Sequence, residues 1–299
     1  DVYKRQPVWN HHTDAFIQEL SLDIGEQSST VLADLSGDGL LDLIIGNYGA
    51  YQTSGNYLSS ISYYENNGTA TQASFKLVSN DLAALSQNPS YGLALHPTFG
   101  DLDNDQDLDM IVGNADGFLH YFENVGTATS PQFNLVQAQI GGLDVGNFAK
   151  PTLVDLDSNG VLDLVVGERE GNLNFIPNYG NANGSNFTTL LTDTFGNVNI
   201  KDPVYHLGYS DPKFITHNNE VFLFTGTYRG HITLFDNVNP SVVVPYNRVD
   251  SAITGVHLGL QSSPALADLN GDGWLDLISG TIGGGLIYYE GIDPATIGI

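Results

Sequence analysis

Short runs of alternating apolar and polar residues recur along the chain, each bounded by Gly, Asn or Asp. The run Val31-Leu32-Ala33-Asp34 leads into an acidic loop that ends at Asp42, and the apolar run Leu43-Ile44-Ile45 then stops on Gly46. The same order returns from Pro97 through 101–109 to Gly113, from Pro151 through 155–163 to Gly167, and from Pro264 through 268–276 to Gly280. A further copy, from Pro212 to Gly226, keeps both apolar runs but has His217-Asn218-Asn219 where the others have the acidic loop. The closing glycines at 46, 113, 167, 226 and 280 are spaced by 67, 54, 59 and 54 residues. Period-two alternation over a few residues, punctuated by turn formers, is the signal of a strand.

After each closing glycine comes a third alternating run, such as Leu119-His120-Tyr121-Phe122 or Leu286-Ile287-Tyr288-Tyr289. A turn N-x-G-T-A-T-x-x-x-F follows at 66–75 and 124–133, is partly kept at 178–187, and its Phe opens a fourth run. Four antiparallel strands per repeat of roughly fifty residues is the grammar of a propeller blade. The expected fold is therefore all-β, a β-propeller of four-stranded antiparallel blades with five blade cores at about 28–78, 96–137, 150–190, 211–245 and 263–290. Residues 8–24 read as the remnant of an earlier blade, with Trp9-Asn10 in a turn and 16–20 as a fourth strand. That strand could close the last blade around the ring, but the reading favours truncation of a larger propeller. Residues 1–6, Asp-Val-Tyr-Lys-Arg-Gln, are identified as the translation of a sequencing adapter, so the missing signal peptide carries no information.

Composition narrows the functional classes. With 34 Asp+Glu against 9 Lys+Arg the net charge is −25, which excludes the basic surface that nucleic acid or anionic lipid would need. No apolar run approaches the ~18 residues of a membrane helix, so no membrane insertion is expected. The absence of cysteine rules out disulfides, zinc–thiolate sites and thiol nucleophiles.

The acidity is concentrated in the loops. Positions 1, 3, 5 and 9 hold Asp34, Ser36, Asp38 and Asp42; Asp101, Asp103, Asp105 and Asp109; Asp155, Asp157, Asn159 and Asp163; and Asp268, Asn270, Asp272 and Asp276. Position 7 would offer a backbone carbonyl, from Leu40, Asp107, Val161 and Trp274. Alternate oxygen donors converging in a tight loop suit a hard cation, and Ca²⁺ tolerates their irregular geometry better than Mg²⁺. Gly39, Gly160 and Gly273 ease the turn, while Gln106 takes that place in the second copy and implies backbone strain. An EF-hand needs a bidentate Glu at position 12, where this chain has Ile45, Val112, Val166 and Ser279. About four structural Ca²⁺ sites are expected. Solvated Asp-rich turns are the bland alternative, set aside because four copies share one register.

These residues resemble the FG-GAP/VCBS repeat family, through the L-x-D-L-[NDS]-x-D-G-x-x-D-L-[IV]-x-G core and the Y-[YF]-E-N-x-G-T-A-T turn. The resemblance runs over nearly all of residues 8–299. It implies a calcium-binding, integrin-α-like propeller, secreted or on a cell surface, in adhesive or carbohydrate-linked roles. Residues 212–226 depart from the pattern, which puts a metal there in doubt.

On the face opposite the acidic loops the sequence places His96 and Lys150 before inner-strand prolines, and Arg169, Tyr228 and Arg229 in turns. A Tyr-rich insertion brings Tyr48, Tyr51 and Tyr57 to the same side. The basic residues could bind an anion or a uronate, and surface ion pairing of Arg169 is the bland alternative. No H-E-x-x-H, G-x-S-x-G or P-loop is present. The expectation is thus a calcium-stabilised, non-enzymatic extracellular module for carbohydrate or a protein partner. A calcium-dependent polysaccharide lyase and a passive spacer domain are the alternatives.

Overall fold

In a computed structural model of the chain, residues 8–13 and 24–292 are described, apart from 54, 182, 183, 218, 219, 240–243, 254, 255 and 257. The N-terminal strand β1 (Val8–Thr13) is the outermost strand of the last blade. Blade I comprises β2 (Ser29–Ala33) and β3 (Asp42–Gly46), a small hairpin of β4 (Ala50–Tyr51) and β5 (Tyr57–Leu58), then β6 (Ile61–Asn66) and β7 (Phe75–Ser79). Blade II is β8 (His96–Gly100), β9 (Asp109–Gly113), β10 (Leu119–Asn124) and β11 (Phe133–Gln137). Blade III is β12 (Lys150–Val154), β13 (Asp163–Gly167) and β14 (Leu173–Ile176). Blade IV is β15 (Asp211–His217), β16 (Glu220–Gly226), β17 (Ile232–Asp236) and β18 (Asn247–Asp250). Blade V is β19 (Ser263–Ala267), β20 (Asp276–Gly280) and β21 (Leu286–Ile292), to which β1 adds. No helix among the described residues is long and apolar enough to cross a membrane.

Each blade is antiparallel, and blades I, II, III and V bury both faces of their second strands, which is why Leu43-Ile44-Ile45, Met110-Ile111-Val112 and Leu164-Val165-Val166 are unbroken apolar runs rather than alternating ones. Neighbouring blades pack face to face over separate clusters. Ile44 and Tyr63 meet Met110 and Phe122 between blades I and II, and Leu43 and Tyr64 meet Ile278 and Tyr288 between blades I and V.

The inner strands stand side by side around an axis, and one hydrogen bond repeats at each step of the ring. The amide before an inner strand donates to the carbonyl of the residue after the preceding blade's closing glycine: Leu95 to Asn47, Ala149 to Asn114, Ser210 to Glu168, Ser262 to Thr227 and Ser28 to Thr281, at 3.0–3.2 Å. The last of these joins blade V to blade I and closes a five-bladed ring.

That close approach also explains the closing glycines. A β-carbon on Gly167 would lie 2.2 Å from the Ser210 carbonyl oxygen, and one on Gly46 would lie 1.9 Å from that of Leu95. The obstacle is backbone, which cannot rotate away. Gly167→Ala is expected to destabilise the fold by about 3 kcal/mol, the upper range for forced overpacking, measured by chemical denaturation; a loss of a few tenths would mean that the blades slide apart freely.

Three expectations are corrected. Trp9-Asn10 is not a turn: both lie in β1, opposite Gly291 and Glu290, so it is Val8–Thr13 that closes the last blade. With the ring closed at five blades, no larger propeller is needed to account for these cores; residues 1–6 and 16–20 lie outside the described residues. Among the described residues, blade III has no fourth strand: Phe187 sinks between Ile140, Leu164 and Ile176, and the Phe175–Thr192 bridge alone touches β14's edge.

Blade IV shows what replaces an acidic loop. Its first two strands extend to seven residues each and pair through His217–Glu220, and Phe222 occupies the position of the buried loop aspartate.

Candidate functional site

The four acidic loops share one backbone conformation, built by their own side chains. The first aspartate accepts amides from the far side of the loop: Asp34 from Asp38 and Gly39, Asp101 from Asn104 and Gln106, Asp155 from Asn159 and Gly160, and Asp268 from Gly271, Asp272 and Gly273. Side chains at position 5 then accept the amide at position 7, at Leu40, Asp107, Val161 and Trp274. The ninth residue is buried in the second strand. Asp109 accepts the amides of Leu102 (3.1 Å) and Asn124 (2.8 Å) and the hydroxyl of Tyr121 (3.2 Å), and Asp42 makes the equivalent bonds to Leu35, Ser36, Asn66 and Tyr63. These aspartates fasten loop to blade, whatever else they hold.

The tightest carboxylate cluster is in blade II, where oxygens of Asp101, Asp103 and Asp105 all lie within 4.8 Å of one another. Beside it Asp107 is buried and its Oδ1 has no hydrogen-bond partner among the described residues. Burial, with Asp105 alongside, pushes the Asp107 carboxyl up to about 6. Crowded, partly orphaned oxygen donors of this kind fit a divalent cation, and the Asp107 side chain adds a donor where the sequence promised only a carbonyl.

Position 6 has positive φ in all four loops, 88° at Gly39, 74° at Gln106, 87° at Gly160 and 87° at Gly273. Since left-handed backbone costs a side-chain-bearing residue about 1–2 kcal/mol, Gln106→Gly is expected to stabilise the fold by about 1 kcal/mol, read by denaturant titration. Position 4 is left-handed too, at Gly37, Asn104, Ser158 and Gly271, a second requirement the sequence pattern did not reveal.

Burial pushes Asp109 up to about 7 and Asp163 and Asp276 up to about 6. Without metal, these carboxyls hold more protons in the folded chain than in the unfolded chain between the ordinary carboxylate range and these values, an excess that buried His96 and His120, held below the ordinary imidazole range, offset only in part. Stability must then fall as pH rises through that window. Metal-free protein is expected to melt higher at pH 5 than at pH 8, a difference that saturating calcium diminishes; equal melting temperatures in metal-free buffer would contradict it.

On the opposite face, the residue two before each inner strand is left-handed: Gln27, Ala94, Phe148, Tyr209 and Gln261, with φ between 50° and 60°. These five surround the mouth of the axis, and Gln27 Nε2 donates to Gln261 Oε1 across blades V and I. An aromatic track crosses the mouth. Tyr51 meets Tyr57 (centroids 5.4 Å), Tyr57 meets Tyr48 (5.3 Å), and Tyr48 stacks on Phe148 (6.3 Å, 19° between planes). Phe148 then meets Tyr209 (5.1 Å), Tyr209 stacks on Tyr228 (6.0 Å, 27°), and Tyr228 meets Tyr205 (5.5 Å). Tyr48 and Phe148 belong to blades I and III, and the small, fully buried side chain of Ala94 in blade II puts no third ring between them.

The basic residues do not converge there. Arg229 lies 5.1 Å from the Tyr205 ring and pairs with Asp202, holding that carboxyl down to about 2. Arg169 lies beside the Tyr209 hydroxyl, and Glu170 pairs with Lys201 instead. His96 and Lys150 are buried beneath the mouth, inside the axis. Glu168 follows a closing glycine, the position where Asn114 holds its own turn, and its Oε2 likewise accepts the Glu170 amide (2.7 Å). Its Oε1 is buried without a hydrogen-bond partner among the described residues, and burial raises its pKa. Phe148, Tyr209 and Tyr205 escaped the sequence reading, although Phe148 and Tyr209 share one register, three residues before an inner-strand proline.

The FG-GAP-like repeat family matches residues 34–112 and 101–166. No curated protein matches the chain significantly. Among solved structures, the RS223 β-xylosidase is similar over 95% of this chain and 94% of that one (TM-score 0.57, 10% identity). The catalytic domain of the Coprinopsis cinerea GH62 α-L-arabinofuranosidase is similar over 95% and 97% (TM-score 0.52, 13% identity). At this identity the likeness is one of fold, and the fold is one that glycosidases use. This overturns the expectation of a non-enzymatic module, which rested on missing short motifs. Glycoside cleavage needs two carboxyl groups that can come from separate blades, and such a pair leaves no contiguous motif.

Proposed function

We propose that this five-bladed propeller, whose residues 34–166 match the FG-GAP-like repeat family, is a carbohydrate-active protein that takes a polysaccharide along its aromatic track and is held rigid by calcium on the opposite face. The aromatic track carries the reading. Sugar rings present apolar C–H faces that settle on aromatic planes, and sugar sites combine such planes with a few polar groups. Here the ends of the track are open, with Tyr51 68% and Tyr205 56% exposed, while Tyr209 at its centre is buried. A linear chain fits that profile better than a single sugar does.

The ligand class is a neutral polysaccharide. A chain of net charge −25 repels uronates, and of the cations on this face Arg229 is tied to Asp202 and Lys150 is buried in the axis, which leaves Arg169 alone beside the Tyr209 hydroxyl. The calcium loops belong outside the cytoplasm, where weak sites of about 10⁻⁴–10⁻³ M are filled.

A second reading, glycoside hydrolysis of the bound chain, has its own observation. Beside the track the Glu168 carboxyl is pushed up by burial while Asp202 is held ionised by Arg229, and opposed shifts of this kind separate a proton donor from an anionic partner. Solved structures similar in fold include a β-xylosidase and an α-L-arabinofuranosidase, so pentose polymers are the first to try.

The full chain with calcium should be mixed with xylan, arabinoxylan, arabinan and polygalacturonate, reading retention on the polymer and release of reducing ends together. Retention on a neutral polymer and none on polygalacturonate is the expected result; retention on none of them would contradict the proposal. Reducing ends that disappear in Glu168→Gln, with retention unchanged, would establish hydrolysis.

A further inference from the structure

The five inner strands carry five ionisable side chains, His96, Lys150, Asp211, Lys213 and His217. His217 is exposed at the far end of β15, and the other four converge on the axis. Asp211 accepts from Lys150 (3.1 Å) and faces the Lys213 ammonium (2.9 Å), with its own carboxylate 1% exposed. At the same level the inner strands contribute Ser29, His96, Lys150 and Ser263, all buried. Ser263 Oγ is engaged by the Thr30 amide and donates to Ser29 Oγ, so this side of the ring is already satisfied.

Two features are left over. Two ammonium groups share one carboxylate, so the axis holds one positive charge in excess, shared between buried Lys150 and the partly exposed Lys213. An uncompensated charge of this kind is strongly unfavourable in a protein interior. Next to it, His96 is 3% exposed and neither ring nitrogen has a hydrogen-bond partner among the described residues. Buried imidazoles ordinarily find a partner for at least their N–H. Desolvation and the two lysines hold His96 neutral, down to about 3, so it offers a neutral N–H donor rather than more charge.

We propose that the propeller axis is a binding site for one small monovalent anion of halide size, held between the ammonium groups of Lys150 and Lys213 and the imidazole N–H of His96. The anion balances the excess charge and occupies the empty valence of His96 in one step. Lys213, with 16% of its side chain exposed, is the member of the site that solvent reaches.

The test uses the full chain in two measurements. Crystals grown in sodium bromide are expected to show an anomalous peak on the axis, in contact with His96 and the two lysine ammonium groups. Bromide on the outer surface alone, with only water density on the axis, would overturn the proposal. In solution, at constant ionic strength set with gluconate, the melting temperature is expected to rise by about 2 °C per tenfold increase in chloride. That slope should vanish in Lys213→Met, where one lysine and one aspartate already balance. A slope that persists in the variant, or is absent from the parent, also overturns it; should the variant fail to fold, the bromide experiment decides alone.

Discussion

Stripping calcium from the full chain is expected to lower its melting temperature by about 10 °C. The magnitude follows from the four loops. At a free concentration ten times the dissociation constant, each site contributes about 1.4 kcal/mol. Together they approach the whole stability of an ordinary domain, about 5–15 kcal/mol. The effect should be divisible by blade. Asp105→Asn, in the loop where three carboxylates crowd within 4.8 Å, is expected to remove about a quarter of the shift. Blade IV, whose strands join directly, should contribute nothing. Scanning calorimetry with calcium and then with chelator reads all of this, and a melting temperature indifferent to chelator would leave the loops as self-bonded turns.

The second large effect is on the other face. Phe148→Ala and Tyr228→Ala are each expected to weaken binding of a neutral polysaccharide about 30-fold, the loss that accompanies truncation of a central aromatic anchor worth about 2 kcal/mol. Phe148 touches both Tyr48 and Tyr209, so its removal interrupts the track at the axis. Tyr51→Ala, at the exposed end, should cost much less. Both central side chains are only half-buried, so melting temperatures should barely move. Equal losses at Tyr51 and Phe148 would argue against a continuous track.

Most of the ring was legible in the chain because its repeats obey local rules. The closing glycines, the Asn of each N-x-G turn and the loop aspartates all act within one blade or on the next. Asn66, for example, accepts from Gly68 and Ser74 and donates to Leu41. The failures concern distance. Nothing near Trp9 announces that its partner is Gly291, because a ring-closing strand finds its register only after the last blade exists. Phe187 alternates like a strand, but its ring is drawn into the core between blades II and III. The aromatic track was half visible for the same reason. Tyr48, Tyr51 and Tyr57 cluster in one insertion, whereas Phe148, Tyr209 and Tyr228 come from separate blades and meet only at the mouth. Basic residues were misleading in the opposite way: close to the mouth in sequence register, they are drawn off by Asp202 and Asp211.

The central claim is a division of faces, glycan on one and calcium on the other. Hydrogen exchange on the full chain, with and without soluble arabinoxylan in calcium buffer, tests it most directly. New protection is expected in residues 47–58, 145–149, 202–209 and 227–230, and none in the four acidic loops. Protection centred on the acidic loops, with the aromatic face unchanged, would contradict it.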